Sequence, residues 1–420
     1  MNHRILKQVI FDQHEVIRNS EIIDRDYVFE KNANYILVDL RRAGKSTLMY
    51  RIVKDLIKEG CDWSRIIYIN FEDDRLLGFT KEDFNDIIET AHELSDNGEI
   101  YYFFDEIQII DGWEHFARRM ADQKNHVYIT GSNAKMLSSE MAGTLGGRYI
   151  PRLIMPFSFS EILDLKKIAY NEPAMLTTSK AAKIRRACQE YISFGGLPEA
   201  QGLTNKREYI KSVYEKVLLG DIIEREHVQN KMALRLMIKK IAETVKSEVS
   251  FNTLAGNVKA TGIKTSTDSM IDYTSYAENA YLVFRTKNHV AKFSEKESTP
   301  RFYFYDNGIL SLFLVDKNSS LLENAVAVYL RRKFGEDVYY YKSGLTGVDI
   351  DFYLPEENTA IQVAYELGNA EDRELRSLLS FAEKTGGTKR LIIVTYEEEK
   401  IIERDGSTVE VIPVHKFLLA

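Results

Sequence analysis

A short apolar segment that leads through a tight turn into a helix is the feature that most constrains this chain. The segment NYILVDLRRAGKSTLM begins at Asn34, and its apolar residues from Tyr35 to Val38 predict a buried strand. The helix after the turn is predicted to continue to about Lys58. The first N–H groups of a helix lack partners within the helix, and they favour anions. The segment therefore predicts an α/β fold with a phosphate-binding turn after its first strand.

The turn matches the end of the phosphate-binding pattern G-x-x-x-x-G-K-[ST] at Gly44, Lys45 and Ser46. In this pattern the lysine reaches the β and γ phosphates, and the hydroxyl binds Mg²⁺. Asp39 stands where the pattern has its first glycine, and a carboxylate there repels phosphates. Taken alone, the same letters also fit a helix start with a solvated lysine. The predicted ATP-binding residues are Asp39, Arg41, Arg42, Ala43, Gly44, Lys45, Ser46 and Thr47.

A second apolar segment, EIYYFFDEIQ, predicts a buried strand that ends in two carboxylates. Its Asp105 stands sixty residues after Lys45, and Glu106 follows it. At the end of such a strand, Asp105 is predicted to hold Mg²⁺ and Glu106 to polarise the attacking water. A single Asp-Glu pair is also common in solvated turns. Its position after the Gly-Lys-Ser turn favours a site for ATP and Mg²⁺.

A third segment, HVYITGSN, predicts a strand that ends in small polar residues, where a parallel sheet presents side chains to a ligand. Ser132 or Asn133 is predicted to sense the γ phosphate. Arg148 follows two glycines, and it is either a finger that neutralises charge on the transferred phosphoryl group or a surface arginine. With a further strand from Ile66 to Phe71, four short strands alternate with helices. This alternation predicts a parallel sheet flanked by helices.

Seven short segments in one order carry a family resemblance. They are LRRAGKSTL from Leu40, YINFEDDRL from Tyr68, FDEIQ from Phe104 with GWE from Gly112, ITGSN from Ile129, GR at 147–148, MPFSFSE from Met155 and GGLPE from Gly195. With these segments the chain resembles prokaryotic AAA-type ATPases of the archaeal-ATPase group that carry a carboxyl-terminal domain of unknown function. The resemblance implies a P-loop ATPase core over 1–165, a helical lid over 166–235, a winged-helix-like module over 236–300 and a restriction-endonuclease-like α/β domain over 301–420. The family's first P-loop glycine is missing at Asp39.

The sequence in the middle of the chain predicts helices, and after them the order of helix, turn, helix and strand that is typical of a winged helix. Residues 180–191 and 207–226 show helical periodicity, and Arg225 is a candidate lid residue or part of a solvated helix pair. From Ser250 the pattern predicts a capped helix, a glycine turn, a helix from Ser266 to Ala277 and a strand from Tyr281 to Arg285. The second of these helices is the one that such modules place in a DNA groove.

Charge decides where nucleic acid is expected to bind. Residues 201–300 carry 16 Lys and Arg against 12 Asp and Glu, whereas residues 301–420 carry 14 against 20. Any DNA contact is therefore expected in 236–300, with Lys264, Lys287 and Lys292 on phosphates. The helix in the groove position, however, has Asp268 and Asp272, with Glu278 directly after it, and no Lys or Arg, which is unfavourable beside DNA. The alternative is a module that contacts protein.

The carboxyl-terminal region has part of a nuclease pattern. A restriction-type nuclease needs an acid on one strand and an acid-x-lysine on the next, so that a metal is held and water activated. Asp351 fits the first strand, with Asp349 on the same face, whereas Gln362 and Ala364 take the places of the second acid and the lysine. We predict a domain without nuclease activity that docks a protein partner. A metal nuclease that uses Glu323, Asp349 and Asp351 is the alternative.

Composition bounds the class of protein. The chain has 420 residues, 44% hydrophobic and 28% charged, which is typical of a folded chain of several domains. Cys61 and Cys188 are its only cysteines, which excludes a disulfide scaffold and a cysteine-based zinc site. No signal-peptide pattern and no apolar run of about 18 residues is present. The sequence therefore predicts a cytoplasmic protein without a membrane segment.

Together these patterns favour an ATP- and Mg²⁺-dependent molecular switch or motor subunit that acts on a macromolecular partner, with DNA among the candidates. If Arg148 acts between subunits, the protein must form a homo-oligomer. One alternative is a nucleotide-poor interaction scaffold, because Asp39 replaces the loop glycine. Another is a DNA nuclease. A P-loop kinase is disfavoured, because Glu106 next to Asp105 suits activation of water.

Overall fold

Two units make up the chain in the computed structural model, which describes residues 1–95, 98–131, 143–315, 318–368, 371–386 and 390–420. The first unit is Met1–Met155 and the second is Pro156–Ala420. The division into 1–165, 166–235, 236–300 and 301–420 stays a prediction. None of the described helices has both the length and the apolar character needed to cross a membrane.

The first unit is built on a five-stranded parallel sheet. Its strands are β1 (Asn34–Asp39), β2 (Ile66–Asn70), β3 (Tyr101–Asp105), β4 (His126–Gly131) and β5 (Tyr149–Ile154). They lie in the order β2-β3-β4-β1-β5, and each neighbouring pair is parallel. The described helices of this unit are α1 (His3–Asn19), α2 (Lys45–Lys58), α3 (Phe84–Leu94) and α4 (Trp113–Asp122). The predicted parallel sheet with helices is confirmed.

Strand β5 was not among the four predicted strands. Its sequence, YIPRLI, contains Pro151, and three of its six residues are exposed. Proline is tolerated in a sheet mainly on edge strands, because it cannot donate a ladder hydrogen bond. The strand lies at the edge of the sheet beside β1. Its position therefore explains why it lacks the apolar pattern of a central strand.

A row of stacked aromatic rings crosses one face of this sheet. Tyr35, Tyr128, Phe103 and Tyr68 are register partners on β1, β4, β3 and β2. The centroids of successive rings are 5.8, 4.8 and 5.9 Å apart, and all four residues are buried. A slip of one residue would turn these rings to the other face of the sheet. The row therefore fixes the register that brings the carboxyl ends of the strands together.

The second unit has helices and a mixed eight-stranded sheet. Its strands are β6 (Val283–Asn288), β7 (Arg301–Phe304), β8 (Tyr339–Ser343), β9 (Val348–Leu354), β10 (Thr359–Val363), β11 (Arg390–Thr395), β12 (Lys400–Arg404) and β13 (Ser407–Pro413). The order is β12-β13-β11-β10-β9-β8-β6-β7. Its described helices are α5 (Phe159–Leu165), α6 (Glu172–Leu176), α7 (Thr178–Phe194), α8 (Lys206–Lys216), α9 (Lys231–Glu243), α10 (Phe251–Ala260), α11 (Thr267–Asn279), α12 (Phe293–Ser298), α13 (Asn307–Leu310), α14 (Asn318–Phe334), α15 (Glu371–Thr385) and α16 (Val414–Phe417). The predicted hairpin of β9 and β10 is present as an antiparallel pair.

The hairpin that follows α11 joins this sheet. Strands β6 and β7 pair antiparallel, and β6 also pairs in parallel with β8. Between α8 and α9, the long helix predicted over 207–226 continues as a π-helix, Val217–Glu224. The predicted boundary at residue 300 therefore falls between two paired strands, and the strand predicted from Tyr281 to Arg285 overlaps β6, which is part of the carboxyl-terminal sheet.

The Gly-Gly-Leu-Pro turn after α7 has a structural role. The N–H of Gly196 donates a hydrogen bond of 2.7 Å to the Asp306 carboxylate, and the N–H of Phe157 donates one of 2.7 Å to the Gly196 carbonyl. A Cβ atom on Gly195 would collide with the Asp306 carboxylate, and one on Gly196 would collide with the backbone of Phe157. Only glycine therefore fits these two positions.

Candidate nucleotide-binding site

The turn between β1 and α2 has the backbone of an anion-binding loop. Arg42 and Gly44 adopt left-handed φ angles of 70° and 100°. Gly44 is the N-cap of α2, and no side chain caps the helix there. The N–H groups in the first turn of α2 therefore have no capping side chain and are arranged to receive an anionic ligand.

The Lys45 ammonium lies among carboxylates. Its Nζ donates a hydrogen bond to Oδ1 of Asp39 and lies 3.6 Å from Oε1 of Glu106. Lys45 and Asp39 are both buried, and Oδ2 of Asp39 has no hydrogen-bond partner within the described part of the chain. Lys45 is thus held by Asp39, and it must leave this partner to reach a phosphate.

Burial places Asp39 close to its ionisation point at neutral pH. Loss of solvent raises the pKa of Asp39 to about 7, although the Lys45 ammonium opposes the rise. Burial lowers the pKa of Lys45, but Asp39 and Glu106 outweigh this, so the pKa is raised overall and the ammonium stays charged. Lys45 therefore stays positively charged, whereas Asp39 gains or loses its proton near pH 7.

Two hydroxyl groups fix Asp105 at the end of β3. Tyr68 donates a hydrogen bond of 2.8 Å to Oδ2, and Thr130 donates to Oδ1. Burial is the main cause of the raised pKa of Asp105, and the neighbouring Glu106 adds to it, whereas the nearby Ser46 hydroxyl lowers it. The two predicted Mg²⁺ ligands, Ser46 and Asp105, therefore lie near each other.

Glu106 has a left-handed backbone, with φ 55°. This conformation costs roughly 1–2 kcal/mol for a residue with a Cβ atom. Its N–H donates a 2.9 Å hydrogen bond to Oγ1 of Thr130, and the side-chain amide of Gln108 donates to Oε2. These contacts hold the carboxylate beside Lys45. Thr130, which orients both acids, was not among the predicted site residues, although a polar residue inside an apolar strand was a usable signal.

Arg25 also supports the loop and was not predicted. It is 6% exposed, and its guanidinium donates hydrogen bonds of 3.0 Å to the carbonyl of Ala43 and 2.6 Å to the carbonyl of Met155. It therefore ties the turn before α2 to the chain just after β5. The residue lies in an irregular segment ahead of β1, so no periodicity marked it.

The other predicted loop residues lie at the same turn. Ala43 is buried, Arg42 and Thr47 are exposed, and a guanidinium nitrogen of Arg41 is 3.8 Å from the Glu72 carboxylate. Ser132 and Asn133 lie outside the described residues.

Arg148 lies away from this site. It precedes β5, whose first residue pairs with Asn34, whereas Asp39 pairs with Ile154 at the other end of β5. Arg148 is therefore at the amino-terminal end of the strands, whereas Lys45 is at their carboxyl-terminal end. The Arg148 guanidinium donates a hydrogen bond to the Asp122 carboxylate. This position does not support a finger in the site of the same chain. A finger supplied to another subunit stays a prediction.

Comparison with known proteins agrees with this geometry. Residues 31–163 match the family model of an AAA domain, a span that includes β1 to β5. The chain is 30% identical to the uncharacterised protein MJ1544 of Methanocaldococcus jannaschii, over 99% of this chain and 95% of that protein. The chain belongs to the family of MJ1544. A further relative, an uncharacterised protein of Haemophilus influenzae, is 29% identical over 93% of this chain and 95% of its own length.

Two further comparisons concern parts of this MJ1544 family member. Residues 185–320 match a domain of unknown function, DUF8612. The solved Walker-type ATPase PABY2304 of Pyrococcus abyssi aligns with 71% of this chain and 99% of its own, at 14% identity and a TM-score of 0.45. The AAA match confirms the predicted AAA-type P-loop ATPase unit. The restriction-endonuclease-like character of residues 301–420 stays a prediction.

Proposed function

We propose that this protein binds and hydrolyses ATP with Mg²⁺, and that it acts as a molecular switch or motor subunit on a macromolecular partner. The observation that carries the proposal is the meeting of Lys45, Ser46, Asp105 and Glu106 at one edge of the parallel sheet. The AAA-domain match over residues 31–163 supports it.

Each residue of this set has a role that its contacts suit. The uncapped start of α2 and the Lys45 ammonium bind the phosphates. Ser46 and Asp105 hold Mg²⁺, which supplies positive charge to the phosphate oxygens. Glu106, oriented by Gln108 and Thr130, accepts a hydrogen bond from the attacking water.

The direct test measures ATP binding and hydrolysis by the full chain. A fluorescent ATP analogue reports binding, and phosphate release is followed with and without Mg²⁺. We expect saturable binding and release of phosphate that requires Mg²⁺. A rate per chain that rises with protein concentration would support a site completed by a second copy, as a finger from Arg148 requires. Binding without any Mg²⁺-dependent release would contradict the proposed hydrolysis.

The pairing of Lys45 with Asp39 favours a second candidate, an interaction scaffold that binds nucleotide poorly. In this state the ammonium that the phosphates need is already bonded to a carboxylate. When Lys45 turns to a phosphate, Asp39 is left buried beside further negative charge. If the free-energy cost of leaving Asp39 charged there is small, the protein can bind ATP as an active ATPase. If that cost is large, it binds nucleotide poorly and the scaffold is favoured.

Asp39→Asn is expected to tighten ATP binding by roughly tenfold at about pH 8, because it removes one negative charge near the phosphates. The pKa of Asp39 is raised to about 7, so the wild-type carboxyl is protonated below this value and charged above it. Wild-type affinity should therefore fall as the pH rises through 7, by up to about tenfold per pH unit. Titrations with the ATP analogue at about pH 6 and about pH 8.5 measure this effect.

The Asn variant also controls for other titrating groups. The charged groups that act on Asp39 are Lys45 on α2, Glu106 after β3 and Arg25 ahead of β1. The effects of these groups, and of the nucleotide's own titration, on the pH dependence of ATP affinity are still present in Asp39→Asn. Asp24→Asn, which removes an exposed acid of the same unit, should leave the wild-type profile unchanged. Identical profiles for wild type and Asp39→Asn would contradict the electrostatic role, and no binding by either would favour the scaffold.

The macromolecular partner is proposed only by its class, as DNA or protein. DNA contact through 236–300 would use Lys264, Lys287 and Lys292, but Lys287 is 2.6 Å from the Glu297 carboxylate. Glu278, at the end of α11, bonds to Arg285. Because Lys287 and Arg285 are already paired with carboxylates, less positive charge is left for DNA phosphates. A protein partner is therefore favoured over DNA at this module. The acidic region 301–420 is likewise proposed as a protein-docking surface.

A further inference from the structure

A buried arginine lies among the carboxylates of the second unit. Arg301, the first residue of β7, is 2% exposed. Its guanidinium lies 2.6 Å from Oδ1 of Asp349 and 3.2 Å from Oδ1 of Asp351, through two different nitrogens. The ring of Tyr340 covers it, with the ring centroid 4.6 Å from the guanidinium carbon. The guanidinium therefore bridges the two acids of β9.

The third acid of the predicted nuclease pattern is held in another way. Glu323 on α14 is buried, and its Oε1 accepts a hydrogen bond of 3.0 Å from the Tyr303 hydroxyl. Burial, helped by the nearby Asp351, raises the pKa of Glu323 to about 8. One oxygen of the Glu323 carboxyl is therefore already used within the protein.

Gln362, which stands in the place of the second acid, is bonded to the backbone of the neighbouring strand. Its side-chain oxygen accepts a 2.8 Å hydrogen bond from the N–H of Asp351, and its amide donates one of 2.9 Å to the carbonyl of Asp349. The side chain thus bridges β10 to the backbone of β9. Its oxygen is already used within the sheet.

With Arg301 between them, the carboxylates of this cluster do not have the spacing of a three-ligand metal site. Within the described ranges, only one group of three His, Cys, Asp or Glu side chains has ligand atoms within 4.8 Å of one another. That group is His3, Asp86 and Glu89 in the first unit, so the acids around Arg301 are not among such groups. Further charges lie close by: the Glu248 carboxylate is 4.0 Å from the Arg301 guanidinium, and the Lys342 ammonium is 3.7 Å from Asp349. The charges of Arg373, Glu374 and Lys246 also act on the acids of the cluster.

We propose that the guanidinium of Arg301 takes the place of a divalent cation in this cluster, so that the carboxyl-terminal sheet is neutralised without a metal. Arg301 is buried and the two aspartates are partly exposed, so the arginine supplies them with a counter-charge that stays protonated and bonds both carboxylates through its planar fork. The cation comes from β7, which is neither of the strands that carry the nuclease pattern. Metal-dependent phosphodiester cleavage then has no cation at Asp349 and Asp351.

The test replaces Arg301 and asks whether a metal takes its place. Binding of Mn²⁺ to the full chain without nucleotide is followed by electron paramagnetic resonance. Wild type and Asp351→Asn are expected to bind the same amount of Mn²⁺, whereas Arg301→Gln should bind one ion more per chain. Adding Asp351→Asn to Arg301→Gln should remove the extra ion. The first unit is the same in all variants, so its own Mn²⁺ binding cancels in the comparison.

Stability provides the second readout. Without Mn²⁺, Arg301→Gln should lower the Tm by roughly 10 °C, because Asp349 and Asp351 lose their counter-charge, and Mn²⁺ should restore part of the lost Tm. Arg285→Gln, which removes a guanidinium of the same unit that pairs with Glu278, is the matched control and should gain no Mn²⁺. If Arg301→Gln does not fold in metal-free buffer, recovery of folded protein on refolding with Mn²⁺ is the expected result.

Three results would overturn the proposal. They are Mn²⁺ bound by wild type but lost in Asp351→Asn, a folded Arg301→Gln that gains no ion, and an unfolded Arg301→Gln that Mn²⁺ does not rescue.

Discussion

Lys45→Ala is expected to weaken ATP binding on the order of 10²-fold and to reduce Mg²⁺-dependent phosphate release to background. Lys45 is the buried cation at the start of α2, where the uncapped helix N-terminus also faces the loop. Its removal takes the charge-assisted hydrogen bonds from the phosphates. The two assays of wild-type activity measure both effects.

The variant needs a control for its effect on the fold. Without Lys45, the carboxyls of Asp39, Asp105 and Glu106 lose their common cation, and the first unit is destabilised. The double variant Lys45→Ala with Asp39→Asn removes part of this excess charge. It should recover stability, measured as Tm, without recovering phosphate release. Lys58→Ala removes an exposed lysine at the other end of α2 and should keep wild-type activity. Full phosphate release by the double variant would show that Lys45 does not serve the nucleotide.

The parts of the site that the sequence predicts are those whose signal is local. The turn before α2 and the two acids after β3 each follow an apolar strand directly, so their positions depend only on the strand ends. In a parallel sheet these ends meet at one edge. The proximity of Ser46 to Asp105, and the approach of Lys45 to Glu106, follow from the meeting of these strand ends and from the register that the aromatic row fixes.

The parts that were missed depend on contacts between distant segments. Arg25 reaches a carbonyl at Met155, and Thr130 reaches Asp105 on the neighbouring strand. The position of Arg148 depends on the direction of β5. This edge strand was not predicted, because it contains a proline and lacks an apolar pattern. No pattern within a few residues contains these relations, because each is set by how the strands are ordered in the sheet.

The same reason applies to the second unit. Ala364 stands in the place of the lysine, so the nuclease pattern is incomplete in the sequence. It does not indicate which group neutralises Asp349 and Asp351, because Arg301 lies about fifty residues earlier in the sequence. Asp39 is an intermediate case. Its carboxylate was predicted to repel phosphates, but its bond to Lys45 required the three-dimensional position of both side chains.

Glu106→Gln is expected to lower the rate of ATP hydrolysis on the order of 10²- to 10⁴-fold while ATP binding is kept. The substitution retains the shape of the side chain and removes the charge that polarises water. Thr130 and Gln108 hold this position, and the Thr130 contact is to the backbone N–H, which the substitution leaves intact. Loss of a negative charge 3.6 Å from the Lys45 ammonium also frees that cation for the phosphates, so binding should be equal or tighter.

Binding and single-turnover hydrolysis measured on the same preparation separate these two effects. Glu99→Gln is the matched control, because Glu99 is an exposed acid just ahead of β3, at the opposite edge of the sheet. It should leave both quantities unchanged. Hydrolysis at the wild-type rate in Glu106→Gln would show that the carboxylate does not act on water. Its left-handed backbone would then serve only to place the negative charge that holds Lys45 in the state without nucleotide.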